Sequence, residues 1–290
     1  MVKKLLFFVI LFSISCLFID KTNAVSSEDA QTVCLEQYYF SPNGNNSNSG
    51  TSLNTPWQTT DKVSSINLKA GDCLLFEGGK TFDGMIWIDI SKDTSNSINP
   101  ITISSYGVGK AKFLAINNPS IYINSLGNIN IENIAVYANG LNSNSLNGIS
   151  ISNYSSNISG INIKDIEVFG FGGFGLEIGS YTSGFNISKI NISDSKFYAN
   201  GKAGLITHGI DINSIQNLKI DNVRVYDNLG ILTAITNTGD GIVISNTSNS
   251  TVKNSQVFNN GQNCKAKNCA SGILVHESDK IIIEKNYVYN

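Results

Sequence analysis

The chain has 290 residues, a formal net charge of −2 and a pI of about 5.7. Its positive charge is almost all lysine, Arg224 being the sole arginine, so it lacks the basic field that holds a phosphate backbone and argues against nucleic-acid binding. Hydrophobic residues at 41% can build a core, whereas charged residues reach only 14%; Asn, Ser, Gly and Ile fill the gap and favour strands and turns over helices.

Lys3 and Lys4 precede an apolar run from Leu5 to Ile19, followed by Thr22 and Ala24, which reads as a signal peptide over residues 1–24 cleaved before Val25. Lipoprotein processing at Cys16 is the weaker reading, because Ser13 stands where an aliphatic residue is preferred. No later stretch reaches the roughly 18 consecutive apolar residues of a spanning helix. A secreted, extracellular or periplasmic protein is expected, and a monomer. Beyond the signal remain Cys34, Cys73, Cys264 and Cys269, an even number in an oxidising compartment, which predicts two disulfides. The short loop favours Cys264–Cys269 and leaves Cys34–Cys73, while zinc would need tighter CxxC spacing.

A repeat occupies the second half. Segments led by Gly148, Gly175, Gly204, Gly241 and Gly272, each followed by alternating apolar residues, are spaced by 27, 29, 37 and 31 residues. Between them runs a second phrase, Val136-Tyr137, Val168-Phe169, Phe197-Tyr198, Val225-Tyr226, Val257-Phe258 and Val288-Tyr289, most copies followed closely by Asn. A period near 30 with strand alternation and no helical stripe predicts an all-β, right-handed, single-stranded parallel β-helix, one coil per repeat. Recurrent turn asparagines suit left-handed backbone.

Tyr39-Phe40-Ser41-Pro42-Asn43-Gly44, Pro56-Trp57, Lys69-Ala70-Gly71-Asp72 and Gly78-Gly79-Lys80-Thr81-Phe82 resemble the N-terminal region of secreted pectate-lyase-like β-helix proteins, as does Asn99-Pro100-Ile101 through Lys110. The resemblance implies an N-terminal cap with the first strands over residues 25–100 and coils over 101–290. Because the sequence stops in mid-coil at Tyr289-Asn290, a longer parent chain or a frayed last coil is expected.

If the second residue of each Gly-led strand points inward, the third and fifth face solvent and stack into columns. One column holds Ser150, Glu177, Ile206, Val243 and Leu274; the other holds Ser152, Gly179, His208, Ser245 and His276. Both histidines thus share a column, roughly 10 Å apart at ~4.8 Å per coil, with Glu177 about 8 Å diagonally from His208. Two surface histidines aligned by chance are the plain alternative. A histidine titrating near neutrality can abstract the proton at carbon 5 of a uronic acid, as a polysaccharide lyase or epimerase requires.

The longest coil has its excess between Leu229 and Asp240, and the next carries the loop Gly261 to Ala270. These loops are expected to wall a groove with Asp240, Lys265 and Lys267 opposite the histidines, the lysines pairing with substrate carboxylates. The family resemblance implies that a lysine such as Lys265 can itself be the base. His208, Lys265 and His276 are therefore the candidate catalytic residues, and Glu177, Asp240, Ser245 and Lys267 the candidate substrate contacts. Calcium bridging an acidic polysaccharide to Asp240 or Glu177 would need bound substrate to complete its six to eight oxygens. Asn237-Thr238-Gly239-Asp240 loosely resembles a polygalacturonase segment, but Val243 stands where a second acid belongs, so hydrolysis ranks below elimination. Gly170, Gly172 and Gly175 spell GxGxxG but open a strand, which excludes a dinucleotide site. A non-catalytic carbohydrate-binding protein is the alternative function.

Overall fold

The computed structural model describes residues 33–290 apart from 117, 143–144 and 268, so the signal-peptide segment lies outside the described residues. Each coil of the repeat visits three parallel sheets in turn. Sheet A has nine strands, from Glu36–Phe40 to Asp279–Glu284; sheet B has eight, from Thr81–Asp83 to Tyr287–Tyr289; sheet C has seven, from Ile86–Asp89 to Ile273–His276. The chain is a right-handed parallel β-helix, as the repeat predicts, and the only helix among the described residues is the short Asp61–Ser64.

The period of the sequence is the period of the packing. Ile129, Ile161, Ile190 and Leu218 form the inward column of sheet A, Val136, Val168, Phe197, Val225 and Val257 that of sheet B, and Ile149, Leu176, Leu205 and Ile242 one of sheet C; all are fully buried. Each such side chain contributes about 1.5–3 kcal/mol, and only by contact with the coils above and below. The leading glycines are needed there: a Cβ at Gly204 would collide with Val225, and one at Gly241 with Val257 and the Gly272 carbonyl.

The turns explain the asparagines. Between sheets A and B, Asn133, Asp165, Asp194, Asn222 and Asn254 hold φ between 52° and 54°, the left-handed region that short polar residues tolerate. After sheet B, Asn200, Asn228 and Asn260 turn inward and stack. Asn228 Nδ2 donates to Asn260 Oδ1 at 2.9 Å, and its Oδ1 accepts from the Asn200 amide N–H at 3.0 Å and from Asn200 Nδ2 at 3.1 Å. On the outer face of sheet B the second phrase stacks its rings: Tyr137, Phe169, Tyr198, Tyr226, Phe258 and Tyr289 follow at centroid spacings of 4.7–5.5 Å.

The N-terminal end is closed by Phe40, which stacks on Phe76 at 4.3 Å and meets Trp57 edge-on at 5.5 Å. Sheet A already begins in this region, since Glu36–Phe40 pairs with Asp72–Glu77, which pairs with Ile101–Tyr106. At the other end, Ile273–His276, Asp279–Glu284 and Tyr287–Tyr289 are each paired to the preceding coil. Both disulfides form, Cys34–Cys73 across 39 residues and Cys264–Cys269 across 5. Because loop closure restrains the unfolded chain more for longer loops, replacing Cys34 and Cys73 by serine should cost about 2–4 kcal/mol, and replacing Cys264 and Cys269 much less. Thermal unfolding of the two variants side by side checks the ranking.

Candidate functional site

Register places the predicted columns on the outer face of sheet C. Ser150 pairs with Glu177, Glu177 with Ile206, Ile206 with Val243 and Val243 with Leu274; in the second column Ser152 pairs with Gly179, Gly179 with His208, and Ser245 with His276. Alternation along each strand turns these residues to the outer side while Leu176, Ile178, Leu205 and Thr207 face the core, but Ser150, Ser152, Val243 and Ser245 are buried there and do not face solvent as expected.

Side chains close the diagonal between Glu177 and His208. Glu177 Oε1 lies 2.9 Å from His208 Nε2 and accepts the Tyr181 hydroxyl at 3.0 Å. Its Oε2 accepts from Asn147 Nδ2 at 2.5 Å and Ser150 Oγ at 3.2 Å. Tyr181 Oη is also 2.8 Å from His208 Nε2. Burial alone would raise the Glu177 carboxyl, but the hydrogen bond and charge of His208, with Tyr181 and Ser150, hold it below the usual carboxylate range. Burial beside that carboxylate drives the Tyr181 hydroxyl strongly upward, so it stays protonated. A four-donor carboxylate is an anion that orients its neighbours. It has no proton to give.

The local sequence makes room for this cluster. Gly179 stands directly beside His208 in the column, and a Cβ there would strike the Tyr181 ring, so the missing side chain lets Tyr181 fold back between Glu177 and His208. Tyr181 stacks on Tyr154 at 5.1 Å and meets the His208 ring edge-on at 5.0 Å. Towards the capped end the face continues with Tyr122 and Trp87, whose rings meet at 6.2 Å, and with Asn124 donating to Asp89 at 2.7 Å. Trp87 and Tyr154 are 45% and 48% exposed, leaving an aromatic and polar strip that runs along the axis up to the glutamate–histidine pair.

The other candidates sit elsewhere. Ser245 is buried, with its hydroxyl donating to Asn246 Oδ1 at 2.7 Å and lying 3.4 Å from His276 Nδ1. Asp240 is also buried. It accepts from the Ser271 N–H at 2.6 Å and from Asn237 Nδ2 at 2.9 and 3.1 Å, fastening the long loop to the next coil, and burial pushes its carboxyl up. Lys265 and Lys267 are exposed on the disulfide loop that leads into the last strand of sheet C. Thus Glu177 and His208 come together, whereas Asp240, Lys265 and Lys267 lie at the opposite end of the strands. Tyr181, Asn147 and Tyr154 were not singled out from the sequence. The signal was there: Tyr154 and Tyr181 are one coil apart, and Gly179 interrupts a polar column.

The oxygens of Glu177 and Asp240 already face N–H and O–H groups, and among the described residues no three His, Cys, Asp or Glu side chains cluster as metal ligands.

The fold is therefore a three-sheet parallel β-helix carrying a carboxylate–histidine–tyrosine cluster on one outer face. No family model matches the chain. Over 72 residues it is 40% identical to a lacto-N-biosidase of Bifidobacterium longum, a stretch that is 24% of this chain and 4% of that protein. Among solved structures, a GH136 lacto-N-biosidase from Eubacterium ramulus superposes with a TM-score of 0.57 at 12% identity, covering 88% of this chain and 56% of that one. The pectate lyase Pel9A gives a TM-score of 0.48 at 16% identity, covering 89% and 79%. The chain thus spans 4% of the matched curated relative and about half of the matched biosidase structure.

Proposed function

We propose that this protein is a glycan-active enzyme in which His208, oriented by Glu177, acts as the base on a uronate-containing chain laid along sheet C. The observation that carries the reading is the contact of His208 Nε2 with an already saturated Glu177 carboxylate. In this reading an Nε2–H tautomer donates to the Glu177 carboxylate and leaves the lone pair on Nδ1. Nδ1 takes the proton from carbon 5, acidified by the adjoining carboxyl group; the released pair forms the C4–C5 double bond, the C4–O glycosidic bond breaks, and the leaving oxygen takes a proton from solvent water. Return of a proton to the opposite face of carbon 5 instead gives an epimer. Hydrolysis calls for two carboxyl groups about 5–9.5 Å apart flanking the bond, and here the partner of the carboxylate is a histidine.

The similarity to glycan-active enzymes supports a carbohydrate substrate, and the Trp87–Tyr122–Tyr154 strip offers rings to a polymer. That strip also favours a second reading, a binding ladder without turnover. Pectate and alginate should give the ultraviolet absorbance of an unsaturated uronate, or proton exchange at carbon 5 if the enzyme is an epimerase. Binding without either product leaves the second reading, and release of reducing ends from neutral glycans alone overturns the first.

Glu177 also sets a pH dependence. Its folded-state carboxyl titrates below the unfolded one, so its stabilisation is present above the unfolded value of about 4.3 and is lost as pH falls through the folded value. The unfolding free energies of wild type and Glu177→Gln should differ by a steady amount near neutrality, and the gap should narrow on acidification. A gap that widens in acid would contradict the assignment.

A further inference from the structure

Sheet C presents no lysine or arginine in its outward columns, which read Trp87, Tyr122, Ser150, Glu177, Ile206, Val243, Leu274 and Asp89, Asn124, Ser152, Gly179, His208, Ser245, His276. The negative charge of a uronate chain must therefore be met from a loop. Where the chain enters sheet C there is a cavity of about 930 Å³, with Leu141, Ile231 and Leu232 as apolar wall, Thr233 and Asn263 as polar groups, and Lys202. We infer that this cavity is a carboxylate-reading subsite for the same glycan and that Lys202 is its specificity-determining residue.

Lys202 is held for such a role. Its N–H donates to the Gly173 carbonyl at 2.9 Å, and its own carbonyl accepts from Gly239 at 2.6 Å and Asp240 at 3.2 Å, which locks the backbone against the loop that forms the far wall. The ammonium lies 5.3 Å from the centroid of the Phe174 ring, and among the described residues it has no carboxylate partner. The side chain is exposed, so the ammonium rests on the Phe174 ring with its other faces open to a ligand. Aliphatic side chains suit the C–H faces of a pyranose, the amide and hydroxyl groups its rim, and the ammonium a carboxylate.

The cavity is also wired to the base. Phe174 lies three residues before Glu177 on one strand, about 10 Å away, which a short oligosaccharide can span. On the neighbouring coil, Ser145 of the cavity lies two residues before Asn147, which donates to Glu177 Oε2. A glycan seated on Lys202 would then run along the strand to His208 and turn there onto the aromatic strip that follows the axis.

This inference rests on the base-catalysed reading, and calorimetric binding separates the two. The probes are short oligogalacturonate, oligomannuronate and their carboxyl-reduced neutral forms, titrated into wild type, Lys202→Met, Lys202→Arg and His208→Ala. Lys202→Met should weaken uronate binding about tenfold and flatten its salt dependence, Lys202→Arg should keep most of the affinity, and the neutral forms should bind wild type no better than uronates bind Lys202→Met. His208→Ala should bind like wild type. Equal affinity of wild type and Lys202→Met overturns the subsite, even if wild type turns over uronates. Loss of affinity in Lys202→Met with no turnover by wild type supports the subsite and overturns the base. If wild type binds no uronate, both fall.

Discussion

Replacing His208 by alanine should lower kcat on a uronate polymer by about 10²–10⁴-fold, the usual contribution of a general base, while the affinity for that polymer changes little. The side chain is 30% exposed and its loss removes one of four donors to Glu177, so the fold should survive with Tyr181, Asn147 and Ser150 still on the carboxylate. Glu177→Gln should also slow turnover, because an amide no longer fixes the proton on Nε2 and the free lone pair on Nδ1. The two variants differ in their pH profiles: Glu177→Gln should move the ionisation that governs kcat, whereas His208→Ala should remove it. Steady-state kinetics with matched binding measurements decide the matter. Retained turnover in His208→Ala would exclude it as the base and return attention to Lys265 and His276.

Asn228→Ala should be the most damaging polar substitution, at about 3–5 kcal/mol of stability, because it strips partners from several buried groups at once. The Asn200 N–H and amide lose the Asn228 oxygen, and the Asn260 oxygen loses a donor, all in places water does not reach. Asn191→Ala is the control. Asn191 also stacks through its amide, donating to Asn162 at 2.9 Å, but it stands on the solvent side of sheet A, where water replaces the lost bond and the cost should stay within about 0.5 kcal/mol. Chemical denaturation of the two variants checks the contrast, and comparable losses would mean that the inner ladder is not the stabilising element.

Much of this is legible in the sequence. The Gly-led and Val-Tyr phrases reveal the coil because a solenoid repeats its environment, so Leu205 and Ile242 are constrained alike though 37 residues separate them. The columns on sheet C follow from the same rule, since alternation fixes which side chains point out. What register cannot reveal is reach. Glu177 and His208 occupy different columns of adjacent coils, and only the flexed side chains and the space left by Gly179 bring them to 2.9 Å. Asp240 reads as a groove acid by its place in the chain, yet it serves two loop nitrogens, a partnership between coils that no local pattern announces. Lys202 carries no signal in the sequence, because a lone loop lysine has no periodicity to mark it.

The placement of Glu177 and His208 on neighbouring coils also bears on how such a chain can change length over evolution. Duplicating or deleting one whole repeat preserves every column, since each coil presents the same faces to its neighbours. Only at the seam between the Phe174–Ser180 and Ala203–Gly209 strands would an inserted repeat pull the carboxylate from the imidazole. The joints on either side of the Phe174–Ser180 strand, which bring Asn147 and Ser150 as well as His208 to Glu177, should therefore be the least tolerant of an inserted repeat.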